Sequence, residues 1–221
     1  MNDDLGVFLV FPIVILVVIL VVVVAAVAAR QRRNAFMELA KQHGWRYHRR
    51  SRGIPKQFVF LDTICQGHSR YASNILDGEY QGRQILAFDY HYTTGSGKNQ
   101  QTHQISLFLL KLERPFPELR IFPESVFSKL GQMIGYQDID FESVEFSNAF
   151  TVQSDNRKFA YDICHTRMME WLLQHPRTSL EIERDWLCTW SHKLLDADKI
   201  VPALDRLLVI RSLFPGYLFS N

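Results

Sequence analysis

An aspartate and two histidines, Asp89, His91 and His103, are the residues whose types and spacing best suit chemistry. Asp89 and His91 stand two positions apart, so on a β-strand their side chains point to the same face. If the strand after the polar segment 93–100 pairs with this one, His103 comes opposite His91. A carboxylate beside two imidazoles can bind a metal ion or act as acid and base. The competing interpretation is an ordinary solvated surface, because the residues that alternate with Asp89 and His91 are apolar.

Other groups of metal-ligating or nucleophilic residues are weaker candidates. Cys65 and His68 form a single C-x-x-H pair, whereas a structural zinc ion needs four ligands. Cys164 falls on the apolar side of a predicted helix, where a cysteine acts as a small hydrophobic side chain. The acidic residues between 138 and 145 lack the glycine and final glutamate of a calcium-binding loop. Since the sequence also contains no Gly-rich phosphate loop, G-x-S-x-G elbow or H-E-x-x-H motif, we predict neither a cofactor nor a metal.

The elements that must position these residues follow from hydrophobic periodicity and turn residues. Gly82 can adopt the positive φ of a tight turn and predicts a hairpin between residues 71–80 and 83–92. Further predicted strands are 102–112, 119–122, 150–153 and a second hairpin of 179–182 with 186–190. Predicted helices are 34–43, 124–133, 156–174 and 202–213, with Pro202 in the first turn of the last one. The fold class is therefore α+β, a mostly antiparallel sheet covered by helices, preceded by one N-terminal transmembrane helix.

The transmembrane prediction rests on residues 5–29, which carry no charge. At about 1.5 Å per residue this helix is about 37 Å long, against a hydrocarbon core of about 30 Å. A cleaved secretory signal is the alternative, since Ala26-Val27-Ala28 has the small-x-small pattern of a processing site. Acidic residues precede the apolar segment and arginines follow it, which is the reverse of a signal peptide. The positive-inside rule then predicts an N-terminus outside the cell and a C-terminal domain in the cytoplasm, anchored to the membrane.

This topology divides the chain into four parts. We expect a short extracytoplasmic N-terminus at 1–4, the transmembrane helix at 5–29, a basic juxtamembrane helix and loop at 30–56 and a soluble α+β domain at 57–221. Three widely spaced cysteines suit a reducing compartment.

Charge is concentrated in the juxtamembrane part. Residues 30–56 hold seven Arg and two Lys against one Glu, whereas residues 57–221 hold 16 basic and 20 acidic residues. Basic residues near a membrane surface are attracted to anionic lipids by about 1 kcal/mol each. The predicted headgroup-binding residues are Arg46, Arg49, Arg50, Arg52 and Lys56. For the basic residues at 49–56 the alternative is that they only set the topology. We assign Arg30, Arg32 and Arg33 to setting topology, and the acidic domain argues against nucleic acid as a partner.

Several sequence blocks carry a resemblance to a known family. These blocks are 78–83, Phe88-Asp89-Tyr90, 140–143, Phe146, Phe150, Asp155, 159–162 and Met168-Met169. They resemble an uncharacterised bacterial family whose members have one N-terminal membrane helix followed by a soluble domain of unknown function. The resemblance implies the architecture and a bacterial origin, and it brings no activity or site residues.

Two functions are consistent with these observations. The first is a non-catalytic interaction or regulatory module, held at the inner membrane surface, that contacts anionic lipid headgroups or another membrane or cytoplasmic protein. The second is a membrane-bound hydrolase or metal-dependent enzyme that uses Asp89, His91 and His103. The two differ in whether these three side chains converge in a concave pocket.

Overall fold

The computed structural model describes residues 3–65, 67–125 and 138–220. Most of the helix predicted at 124–133 lies outside these ranges. The helices are α1 Asp3–His43, α2 Ile54–Gln57, α3 Asp62–Cys65, α4 Val144–Ala149, α5 Arg157–Ile163, α6 Thr166–Gln174 and α7 Ala197–Ser212. The strands are β1 Arg46–Ser51, β2 His68–Tyr80, β3 Arg83–Thr94, β4 Gln101–Pro123, β5 Phe150–Gln153 and β6 Leu180–Ser191.

The six strands form one antiparallel sheet in the described part of the chain, in the order β1-β2-β3-β4-β5, with β6 also paired to β4. The long strand β4 organises this sheet. Its first half pairs with β3 and its last residues pair with β5 along the same edge, while β6 follows the other edge. The predicted α+β class, with a long N-terminal apolar helix, is confirmed.

The predicted hairpin of β2 and β3 is present. Tyr80 pairs with Arg83 across a two-residue turn, in which Gln81 has φ 49° and Gly82 has φ 77°. Two consecutive positive φ angles match the right-handed twist of the flanking strands, and glycine adopts such an angle at no steric cost.

Two predicted interruptions of the sheet are wrong for a shared reason. Pro115 and Pro117 suggested separate strands, and the polar residues 183–185 suggested a hairpin turn, but β4 and β6 each continue through these positions. Phe116 pairs with Arg184 between two register shifts, and Arg184 has φ 54°. The irregular residues of both strands thus face each other in a bulged region, which is where a sheet tolerates proline.

Two helix predictions are also corrected. The single helix expected at 156–174 is divided into α5 and α6, because His165 has an extended backbone and its Nε2 lies 2.8 Å from the Leu213 carbonyl oxygen. Helix α7 begins at Ala197, where the Asp196 side chain accepts a hydrogen bond from Asp198 N. Pro202 is consequently the sixth residue of α7 rather than part of its first turn.

Helices and loops cover both faces of the sheet. On one face the C-terminal part of α1 buries Phe36 and Ala40 together with residues of α5, α6 and α7. On the other face the segment 54–65 buries Leu61 and Ile64 against Phe88 and Tyr90 of β3. The chain from residue 34 onward is therefore integrated into the domain, and the basic segment contributes α1's last turns and the edge strand β1.

The N-terminal part of α1 differs from its C-terminal part. Its apolar side chains from Ile13 to Val24 are more than 40% exposed, and no other element packs on them among the described residues. The helix is long and apolar enough to be a candidate membrane span.

An ion-pair network fastens α7 to the sheet on the opposite side from the segment 54–65. The Glu113 carboxylate of β4 accepts hydrogen bonds from Arg83 of β3 and from Arg211 of α7, at 2.5–2.9 Å. Burial would raise the pKa of Glu113, but the hydrogen bonds from Arg211 and Arg83 outweigh it and lower the pKa to about 2.

Candidate functional site

A buried polar junction joins α1 to the sheet at Asp89. The Asp89 residue is 0% exposed, and its carboxylate accepts three hydrogen bonds. The donors are Arg32 Nη2 of α1 at 2.7 Å, Asn74 Nδ2 of β2 at 2.8 Å and the backbone N–H of Leu195 at 2.7 Å. A carboxylate with three donors is a satisfied buried charge, so its free-energy cost of burial is offset by these bonds.

Arg32 contributes more than this single ion pair. Its Nε and Nη2 also donate to the Leu195 carbonyl oxygen, at 3.1 and 2.7 Å, and its guanidinium lies 5.1 Å from the centre of the Phe36 ring. The side chain is only 34% exposed. Our assignment of Arg32 to topology alone is therefore incomplete, because this arginine binds both the backbone before α7 and the buried carboxylate of β3. We call Arg32, Asn74, Asp89 and Leu195 the junction.

The sequence contains one signal for this role. Arg32 lies four residues before Phe36 and eight before Ala40, so all three share one face of α1. Since Phe36 and Ala40 are buried, the same face directs Arg32 toward the sheet. Nothing local indicates the partners, because Asp89 and Leu195 are 57 and 163 residues away along the chain.

His91 lies next to the junction on the same face of β3 and is only 8% exposed. Its ring stacks on Tyr71 with centres 4.4 Å apart, and its Nε2 is 2.7 Å from Ser73 Oγ. Its Nδ1 is buried and has no hydrogen-bond partner among the described residues. Burial lowers the pKa of His91 below 6.5, and the charges of Arg50 and Arg32 add to this while Asp89 opposes it.

The expectation that Asp89 and His91 lie on a solvated face is therefore wrong. Their face of the sheet is apolar further along β3, at Ile85 and Ala87, and α1 covers it. Alternation of polar and apolar residues identified the two faces of β3 correctly, but it does not show that both are covered by other elements.

His103 does not join this group. The register pairs His91 with Gln104 and Tyr92 with His103, so His103 lies on the opposite face of the sheet. Its Nε2 is 2.7 Å from Thr94 Oγ1, and its ring stacks on Tyr92. The three-residue acid–base or metal site proposed from the sequence is thus not assembled, because the number of residues in the β3–β4 connection shifts the pairing by one.

The cysteines provide no reactive site among the side chains that are described. Cys164 and Cys188 are buried free thiols, and burial raises the pKa of both, with Glu181 adding to the effect at Cys188. A raised pKa keeps a thiol protonated and unreactive. His68 of the C-x-x-H pair contacts Gly95 O and Ser69 Oγ, both at 3.0 Å.

The predicted headgroup-binding residues lie on β1, directly after it at Arg52, and on α2 at Lys56. Arg49, Arg50, Arg52 and Lys56 are exposed. The Arg50 guanidinium lies 3.8 Å from the centre of the Tyr71 ring, which is a cation–π contact. Arg46 differs from the others, because it forms an ion pair with Asp77 at 2.6 Å.

An acidic cluster around the buried Glu181 was not anticipated from the sequence. Carboxylate oxygens of Glu118, Glu181 and Glu183 lie within 4.8 Å of one another, a spacing that suits a metal ion. Arg120 is also buried here, and its Nε lies 3.1 Å from Glu118. The arginine already supplies positive charge to the cluster, so we assign no metal to it. The predicted surface group at 138–145 is separate, and its Asp138 accepts a hydrogen bond from Gln153.

Comparison with known proteins adds one likeness in fold. No family model and no curated protein matches the sequence. Among solved structures, the chain is similar to the mycobacterial trehalose monomycolate transport factor A, TtfA, with a TM-score of 0.57 and 14% identity. The match covers 84% of this chain and 95% of that chain. The likeness extends over nearly the whole of TtfA, agrees with the bacterial resemblance of the sequence, and concerns the fold alone.

Proposed function

We propose that this protein is a single-pass, membrane-anchored module of the bacterial plasma membrane, with its N-terminus outside and its domain on the cytoplasmic surface. In this proposal the module is non-catalytic and contacts anionic lipid headgroups and another membrane or cytoplasmic protein. The apolar, exposed N-terminal part of α1 supports the anchor, and Arg30, Arg32 and Arg33 after it support the orientation.

The junction carries the proposal, because it fixes the domain close to the end of the apolar segment. Arg32 is three residues after Ala29, which is about 4.5 Å along a helix. Helix α1 runs antiparallel to β3, since Arg32 contacts Asp89 while the His43 ring lies near Tyr80, which pairs with the first residue of β3 at the turn of the hairpin. Strand β3 therefore points toward the membrane after Asp89.

In this proposal the β3–β4 connection lies at the bilayer surface. From Asp89 to Thr94 the strand advances about 16 Å, which exceeds the distance from Arg32 to the end of the apolar segment. Each headgroup layer is about 5–7 Å thick, so a β3 strand that is inclined to α1 brings the connection 95–100 into this layer. These six residues are exposed and polar, and Lys98 is among them, which suits the headgroup region.

The other exposed cations at this end of the sheet support the same placement. Ser51 pairs with Ala72 and Ala72 with Tyr90, so Arg50 and Arg52 lie at the end of β1 nearest the connection. Lys193 follows the corresponding end of β6. Arg46 lies at the other end of β1 and is neutralised by Asp77, so we remove it from the proposed headgroup-binding set and retain Arg49, Arg50, Arg52 and Lys56.

The proposed partner protein follows from the likeness in fold. TtfA is described as a transport factor for trehalose monomycolate, and this chain shares its fold. We therefore propose that the partner is a membrane protein involved in transport. Crosslinking of the intact chain in cells, compared with a chain cut after Arg33, tests this part. Partners recovered equally with both chains, or none with either, would contradict it.

Fluorescence quenching tests the placement. A bimane label at Ser96→Cys, in the full chain reconstituted into nanodiscs with 30% anionic lipid, is exposed to lipids that carry a nitroxide on the headgroup. We expect strong quenching at Ser96→Cys and little at the matched position Asp185→Cys on β6. The Asp185 side chain forms an ion pair with Lys111, which lies about ten residues along β4 from the β3–β4 connection. Equal quenching at both positions would refute the placement. Charge reversal at Arg49, Arg50 and Arg52 should weaken quenching at Ser96.

Orientation needs a separate measurement. A reporter that is active only in the cytoplasm, fused after Asn221, should be active, and an extracytoplasmic reporter at the same place should not. The opposite pattern would overturn the proposed topology, whatever the quenching experiment gives.

A further inference from the structure

A cleft of about 630 Å³ opens between the end of β6, the end of α6 and the middle of α7. Its volume is within the range of about 300–1,000 Å³ that is typical of small-molecule sites. Apolar side chains of three elements line it, namely Phe108 of β4, Trp171 of α6, and Ala203 and Ile210 of α7. It is separate from the junction and from the site proposed from the sequence.

The rim of the cleft is positively charged. Arg177, Lys193 and Arg206 line it, and all three are exposed. None of them forms an ion pair with another described residue, and no described aspartate or glutamate lines the cleft. Three uncompensated cations around one concavity attract an anion, and a low-dielectric apolar wall strengthens that attraction.

The rest of the lining indicates what kind of anion fits. Hydroxyl groups of Thr178, Ser179, Thr189 and Ser191 can donate hydrogen bonds to an anionic oxygen. A small inorganic anion would fill only a fraction of the volume and would leave the exposed part of the apolar wall, chiefly Trp171, in contact with water. A ligand that combines an anionic head with an apolar body satisfies both parts of the lining.

We propose that this cleft binds an anionic amphiphile with one acyl chain. Arg177, Lys193 and Arg206 hold its carboxylate or phosphate, and the chain packs along Phe108 and Trp171. Lys193 is two residues before Leu195 of the junction, so this side of the cleft lies near the end of the apolar helix. Binding follows from the lining alone and does not require the proposed docking of the domain on the bilayer.

Photocrosslinking of the full chain in phosphatidylcholine nanodiscs tests the inference. The probe is palmitate with a diazirine on its chain, and labelled peptides are mapped by mass spectrometry. We expect labelling of peptides that contain Phe108, Trp171 or Ile210, besides labelling of α1 by probe dissolved in the bilayer. The α1 signal is an internal reference, because both variants described below leave it unchanged.

The variant R177E/R206E should lower labelling of the cleft at least fivefold relative to α1. The matched control R157E/R167E reverses two exposed arginines that do not line the cleft and should leave labelling unchanged. The conservative variant R177K/R206K should retain most of the signal, which distinguishes lost charge from a folding defect.

An uncharged probe and a competitor distinguish the ligand classes. The same diazirine chain as an uncharged alcohol should label the cleft weakly, and dodecyl phosphate should compete with the palmitate probe at low concentration. No labelling of the cleft, equal labelling in R177E/R206E and its control, or equal labelling by the alcohol would overturn the inference. Competition by inorganic phosphate as effective as that by dodecyl phosphate would also overturn it in favour of a small-anion site.

Discussion

Removal of the Asp89 carboxylate is the perturbation that examines the junction most sharply. In Asp89→Ala the buried Leu195 N–H and the Asn74 amide lose their acceptor, at about 1–3 kcal/mol each for an unsatisfied buried group. Arg32 is partly exposed and can be rehydrated, so it adds less. The free energy of unfolding should therefore fall by about 3–5 kcal/mol, the range for breaking a buried charge pair.

Thermal unfolding of the full chain in nanodiscs, followed by tryptophan fluorescence, measures this change. At about 2–4 °C per kcal/mol for a domain of this size, the melting temperature should fall by about 6–20 °C. The control Arg30→Ala removes an exposed arginine of the same helix and should shift it by less than about 2 °C.

A double-mutant cycle separates the ion pair from general damage to the fold. The variant R32A/D89A should be more stable than the sum of the two single changes by about 0.5–3 kcal/mol, because the single variants each leave a partner unpaired. Strict additivity, or a loss below about 1 kcal/mol in Asp89→Ala, would refute the claim that these residues act together.

Three further changes follow from the structure. Because burial lowers the pKa of His91, the folded state binds a proton there less readily than the unfolded state, so the free energy of unfolding falls as the pH drops below about 6.5. In His91→Phe the free energy of unfolding, measured by urea titration, should depend less on pH between pH 6.5 and 5. An unchanged pH dependence would contradict this. Glu113→Gln weakens the hydrogen bonds from Arg211 and should lower the free energy of unfolding by about 0.5–1 kcal/mol at pH 7. Because Glu113 becomes protonated as the pH falls from about 4.5 toward 2, the difference from the unaltered chain should disappear over that range. A difference that persists at pH 2 would argue against this role. In Gly78→Ala the new Cβ meets the Trp45 ring, so circular-dichroism melting should show a loss of about 1–3 kcal/mol, whereas a neutral change would mean that this ring moves freely.

The sequence predicted features that depend on neighbouring residues. The turn at Gln81-Gly82 is an example, since two adjacent residues determine its geometry. The continuity of β4 through Pro115 was not predictable, because the bulge that accommodates it is formed with Arg184 on another strand. Local signals describe what a segment prefers, and pairing with a distant strand can override that preference.

In the candidate site, too, neighbouring residues predicted some features, whereas others depended on residues far away along the chain. Alternation placed Asp89 and His91 on one face of β3, and this is what the structure contains. The position of His103 depended on the exact register across the connection, and a one-residue difference moved it to the other face. The burial of Asp89 depended on Arg32 and Leu195, which no pattern in the surrounding sequence connects to it.

A distance distribution shows whether the domain is attached rigidly to the apolar helix. Spin labels at Val27→Cys on α1 and Ser96→Cys on the β3–β4 connection report their separation by pulsed electron paramagnetic resonance in nanodiscs. We expect one narrow distribution that becomes broad in R32A/D89A. A distance distribution that is already broad in the spin-labelled chain with its native junction residues, and that is the same in R32A/D89A, would contradict rigid attachment.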